Sequence, residues 1–196
     1  ITPFENIRAI IFSLPREEQN KIYVGVNDRD PAWHDIYSID LDTGVRELIH
    51  QNNEKLRDVC FDLKGNLRLA TRSLPDGGTE VLKKEADGFT KVLESTLEES
   101  LNPIRFHVDN KQVYIISNVG NPDHIGLYLY DMLTGVMTLV ESDPKGEVDL
   151  EDIRFSPSTE SLIATIYIAD KKRIYWKSQS HESDYLFLKS QFEDAE

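Results

Sequence analysis

A single cysteine, Cys60, among 196 residues excludes an internal disulfide and leaves the redox compartment open. With Val59 before it and Phe61 after it, that thiol reads as a buried, inert side chain rather than a nucleophile. Basic charge is also scarce: 22 Lys and Arg stand against 35 Asp and Glu, a formal net charge of −13. So acidic a surface repels phosphate backbones and anionic headgroups, which removes nucleic acid and membrane from the expected partners. Long apolar runs are missing too. The longest, Ile7 to Leu14, is broken by Arg8 and Ser13, far short of the ~20 residues of a spanning helix. No secretory leader is visible, and the chain opens on Ile1 rather than Met. We expect a piece of a longer chain, with localisation open between cytoplasm and periplasm or exterior.

Catalytic signatures are absent as well. Acyl transfer by serine wants a nucleophile on a strained Gly-x-Ser-x-Gly turn, and none of the ten glycines supplies that spacing. His34, His50, His107, His124 and His181 show no His-x-x-x-His pattern. The chain alone is therefore not expected to be an enzyme, and neither cofactor nor metal is expected.

What is present is a repeat. Phe12, Phe61, Phe106 and Phe155 recur at spacings of 49, 45 and 49 residues, each followed by turn residues and a β-branched-rich run. Those runs are Ile22-Tyr23-Val24, Leu67-Arg68-Leu69-Ala70, Val113-Tyr114-Ile115-Ile116 and Leu162-Ile163-Ala164-Thr165. The second half of the unit recurs in Asp40-Leu41-Asp42-Thr43-Gly44 and Asp131-Met132-Leu133-Thr134-Gly135, whose glycines lie 91 positions apart. Four short strands per ~45 residues with turn signals at each joint describe a propeller blade. A β-sandwich would show short strands but has no reason to repeat them at fixed intervals. The sequence therefore predicts an all-β fold: about four four-stranded antiparallel β-propeller blades in one partial domain over 1–196. The approximate blades are 7–50, 57–94, 102–141 and 150–190, with Tyr185 to Leu188 as the last strand.

One inter-strand loop concentrates polar chemistry: Asn27, Asp28, Arg29 and Asp30, with His34 and Asp35, of which Asn27, Asp28, Arg29, Asp30 and His34 are the contact candidates. A calcium loop would alternate carboxylates and close with Gly and a distal Glu, and Arg29 and Trp33 break that pattern. Contact with substrate or with another domain and a self-capped structural loop are the readings left open. Asn118 to His124 reads as an exposed turn, and the acidic run Asp143 to Asp152 as a solvated connector.

Two segments carry a family resemblance. Val26 to Pro31 followed by Asp35 to Gly44, together with Asp76-Gly77-Gly78-Thr79-Glu80, resembles the N-terminal propeller of prolyl oligopeptidase-family serine peptidases, in the acylaminoacyl-peptidase-like branch. Phe155-Ser156-Pro157-Ser158 resembles the turn of TolB-like blades. The resemblance implies a seven- or eight-bladed propeller ahead of an α/β-hydrolase domain that is absent here. The propeller would cap the active site of that domain and filter peptide substrates. The alternative is a free-standing TolB-like propeller that binds a protein partner. A ring cut after four blades is also expected to leave apolar end faces, around Ile10, Phe12, Tyr23 and Tyr37 and around Phe155, Ile163, Tyr175 and Phe187, and hence to self-associate.

Overall fold

The computed structural model describes residues 6–15, 18–120 and 123–192. Its strands form four antiparallel sheets, each in simple sequence order. The first holds β1 (Ala9–Ser13), β2 (Lys21–Asp30), β3 (Trp33–Asp40) and β4 (Arg46–His50). The second holds β5 (Asp58–Phe61), β6 (Leu67–Ser73), β7 (Thr79–Glu85) and β8 (Gly88–Ser95). The third holds β9 (Leu101–Phe106), β10 (Gln112–Ser117), β11 (Gly126–Asp131) and β12 (Met137–Glu141). The fourth has three strands, β13 (Leu150–Phe155), β14 (Leu162–Ile168) and β15 (Lys172–Trp176), followed by α1 (Gln179–Gln191). The first strands of neighbouring sheets lie side by side, β1 by β5 and β5 by β9, as the inner strands of a propeller do.

Local chemistry sets the turns. The Asp40 carboxylate accepts the amides of Asp42 (3.1 Å) and Thr43 (2.8 Å), and Gly44 takes a φ of 71° that a side chain resists. Asp131 does the same for Leu133 and Thr134, with Gly135 at 73°. Asp62, Asp109 and Ser156 cap the turns after β5, β9 and β13 in the same way.

Packing between sheets follows the repeated phenylalanines. Phe61 stacks on Tyr23 of the preceding blade with centroids 4.4 Å apart, and Phe155 meets Tyr114 at 5.0 Å. Phe106 lies under the Arg68 guanidinium at 5.5 Å. Tyr23, Arg68 and Tyr114 hold matching places in their repeats, so each seam is built on one pattern. Phe12 departs from it. Its strand bulges between Ile11 and Ser13, and its ring lies over Gly25, where a Cβ would sit 2.5 Å away.

Two expectations are corrected. Residues 185–188 are helical, not a fourth strand. The stretch from Gln179 to Gln191 contains no β-branched residue, Gly or Pro, and has Glu182 in its first turn and Lys189 in its last, which suits the helix dipole. The proposed end faces also point elsewhere. Phe12 and Tyr23 pack with Phe61 in the seam to the second blade, and Phe155 and Tyr175 pack with Tyr114 of the third. Bulges in β1–β2 and β13–β14 flip the pattern, because a one-residue slip exchanges the faces of a strand. On the other sides, Ile22, Val24 and Val26, like Ala164 and Ile166, are buried. Of the residues invoked for self-association only Phe187 is largely exposed, on the helix rather than on a sheet face, and self-association is not supported. Among the described residues no helix is long and apolar enough to cross a membrane.

Candidate contact site on the first blade

In each up-and-down blade, the hairpin between the second and third strands and the linker to the next blade emerge at the same end. The Asn27–His34 segment and the 51–57 linker therefore meet. The hairpin is long because β2 runs ten residues, with the register jumping from Val26↔Asp35 to Asp30↔Trp33.

The structure gives each predicted residue a place. Asn27 ties the hairpin to the start of the blade: its Oδ1 accepts the Arg8 amide at 2.6 Å and its Nδ2 donates to the Pro31 carbonyl at 3.0 Å. Asp28 pairs with Arg46 at 2.7 Å, and that guanidinium lies 4.3 Å over the Tyr37 ring. Asp30 is half-buried, and its Oδ1 accepts the Ala32 amide. His34 is half-buried. Burial first, and the nearby Arg8 charge second, hold its pKa below the usual imidazole range, and its Nε2 has no hydrogen-bond partner among the described residues.

Arg29 is the centre. Its Nε and Nη2 donate to the two oxygens of Asp35 at 2.6 and 2.7 Å, and Nη2 also reaches the Asn52 carbonyl at 3.2 Å. Asp35 is 2% exposed and takes a further bond from the Asn52 amide at 2.8 Å. The Arg29 hydrogen bonds outweigh burial and hold the Asp35 carboxyl below the usual carboxylate range. Asn52 is itself fixed: its Oδ1 accepts the Leu56 amide at 2.8 Å, and its Nδ2 donates to the carbonyls of Leu56 and His34. The fork therefore locks the hairpin to the linker.

Sequence reading brought Asn27, Asp28, Arg29, Asp30, His34 and Asp35 together as one loop but did not single out Asp35 as the buried acceptor and missed Asn52 as the organiser. A signal existed. Asn52 and Asp143 lie 91 positions apart, the same interval as the two Asp-x-x-Thr-Gly turns. Asp143, read as part of a solvated run, is in fact buried and accepts the Glu147 amide, as Asn52 accepts that of Leu56. Of the loop read between Asn118 and His124, residues 121 and 122 lie outside the described residues. Among the described residues no cluster of His, Cys, Asp or Glu is able to hold a metal. Cys60 is buried, and burial pushes its thiol up to about 12, so it is not a nucleophile at neutral pH.

No family model matches the chain. Comparison with known proteins gives a consistent answer nonetheless. Dipeptidyl aminopeptidase BIII of Pseudoxanthomonas mexicana is 34% identical over 151 residues, covering 76% of this chain and 22% of that protein. TolB of Acinetobacter baumannii superimposes with a TM-score of 0.56 at 18% identity, over 81% of this chain and 37% of that one. A puromycin-hydrolyzing peptidase of Mycobacterium tuberculosis gives 0.55 at 15% identity, over 90% of this chain and 30% of that one. The chain has a β-propeller fold that superimposes on TolB and on a puromycin-hydrolyzing peptidase, and over 151 residues it is similar in sequence to a dipeptidyl aminopeptidase. Dipeptidyl peptidase family member 6 of Caenorhabditis elegans is 23% identical over 185 residues, and this chain spans under a quarter of either curated relative, 22% and 24%.

Proposed function

We propose that these blades form part of one propeller domain of a prolyl oligopeptidase-like serine peptidase, capping the active site of a hydrolase domain and restricting access to short peptides. The observation that carries the reading is the locked first-blade hairpin. Arg29, Asp35 and Asn52 hold one projecting loop against a linker through a half-buried ion pair and five further hydrogen bonds. A rigid loop at the blade end where successive linkers gather suits contact with a neighbouring domain. The 34% identity to a dipeptidyl aminopeptidase supports a peptidase parent with peptide substrates.

The test compares this chain with the full-length protein. A fluorophosphonate serine probe should label the full-length protein and leave residues 1–196 unlabelled. Disrupting the hairpin in the full-length enzyme should relax discrimination between short and long peptides. Labelling of this chain alone, or unchanged length discrimination, contradicts the proposal. A second reading is a free-standing TolB-like propeller that binds a protein partner, favoured by the TolB superposition. An unlabelled full-length protein selects it.

A further inference from the structure

We propose that Arg29 is a carboxylate receptor at the base of the first-blade hairpin. A guanidinium carries five N–H donors in a rigid fork. Here three are used: Nε toward Asp35, and the two on Nη2 toward Asp35 and the Asn52 carbonyl. Nη1 makes no hydrogen bond among the described residues, and the side chain is 40% exposed. The free edge is held in one orientation from behind. Asp35 is fixed by Asn52, and Asn52 by Leu56 and His34. An arginine fixed before its ligand arrives loses little side-chain freedom on binding.

The blade does not need this device in order to fold. At the matching positions 91 residues on, the third blade has Gly120 and Gly126 in place of Arg29 and Asp35. Its hairpin keeps the Asn118 bond to the Ser100 amide that mirrors Asn27 on Arg8. Arg46, by contrast, is occupied on both sides, by Asp28 and by the Tyr37 ring. The chemistry recognised is a peptide carboxylate, either a free C-terminus or an Asp or Glu side chain, because the two N–H groups left on Nη1 are cationic donors that favour an anionic oxygen as acceptor. Asp35 already neutralises much of the Arg29 charge and Asp30 lies near, so binding is weak, of roughly millimolar affinity, and its role is orientation.

The proposal rests on reading this hairpin as a contact element, but not on a peptidase parent. The experiment is a titration of this chain followed at the Arg29 Nε–Hε resonance by NMR. The probes are N-acetylalanine, its amide, and N-acetylaspartyl amide. The carboxylate of N-acetylalanine should shift the resonance saturably, with the amide at least about tenfold weaker, the loss expected for a charge-assisted contact. Tighter binding of the aspartyl probe assigns the site to a side-chain carboxylate, and the reverse to a peptide C-terminus. Arg29→Met alone leaves Asp35 buried and unpaired, so the double variant Arg29→Met/Asp35→Asn is the control, with its fold checked by the amide spectrum. It should abolish the response at neighbouring hairpin amides. An equal response to the amide probe, a response that survives in the double variant, or no saturable response overturns the proposal. None of these outcomes bears on serine labelling of the full-length protein, so failure of the two readings is distinguishable.

Discussion

The first and third blades are near copies in their framework and unlike in their hairpins. Asn27 and Asn118 each accept the amide that opens their blade, at 2.6 Å in both. Asp40 and Asp131 cap the same turn, and Asn52 and Asp143 cap the same linker. All three pairs are 91 positions apart. Only the first blade adds Arg29 and Asp35, where the third has two glycines. The framework is what the two blades share; the fork is what the first has and the third lacks, while the second holds Arg72 on the buried Glu80 in a similar way.

The largest effect should come from the shared framework. Phe106 is 1% exposed in the seam between second and third blades, and Phe106→Ala should cost about 3–5 kcal/mol in urea unfolding. Phe12→Ala, at the half-buried position that breaks the pattern, should cost less than half as much. Equal losses would mean that the first blade packs like the others.

The fork comes next. Removing Arg29 strands a buried carboxylate. Arg29→Met should cost about 2–3 kcal/mol, below the range for a fully buried pair because the guanidinium is screened by solvent. A depressed carboxyl contributes stability that is present above its unfolded pKa, near 3.9, and is lost as pH falls through the lower folded value. Below about pH 4 the wild type should therefore lose stability more steeply than Arg29→Met/Asp35→Asn.

The linker caps separate the two blades next. Asn52→Asp removes the donor that serves the His34 and Leu56 carbonyls and sets a second charge beside Asp35, so about 2–3 kcal/mol should be lost. Asp143→Asn keeps an acceptor for the Glu147 amide but removes the buried charge facing Arg173 at 3.5 Å, which Glu147 still pairs at 3.0 Å, so it should cost about 1–2 kcal/mol. The smallest effect is at Tyr167, a fully buried residue whose hydroxyl has no well-aligned hydrogen bond among the described residues, with Thr165 its nearest polar neighbour. Tyr167→Phe should be neutral or stabilising by up to about 1 kcal/mol in the same assay.

The fold was legible in sequence because each blade repeats cues of short range, such as Asp40 to Gly44 and the Phe-turn-strand run. The last blade was misread at residues 185–188, where four consecutive apolar side chains fit a buried strand equally well by pattern alone. Orientation was also lost wherever a bulge intervened, as at Phe12, since an extra residue flips the side chains without altering composition. The candidate site was half legible. The charged loop drew notice by density, whereas Asn52 acts across 17 residues to Asp35 and nothing local marks it.

The central claim is that the first-blade hairpin is a contact element of a larger peptidase. Amide hydrogen exchange of the full-length protein against residues 1–196 tests it most directly. The account predicts slower exchange over residues 27–35 in the full-length protein, with the Asp40–Gly44 turn at the opposite end of the blade unchanged. Unaltered exchange at 27–35, or protection confined to that opposite turn, would contradict it.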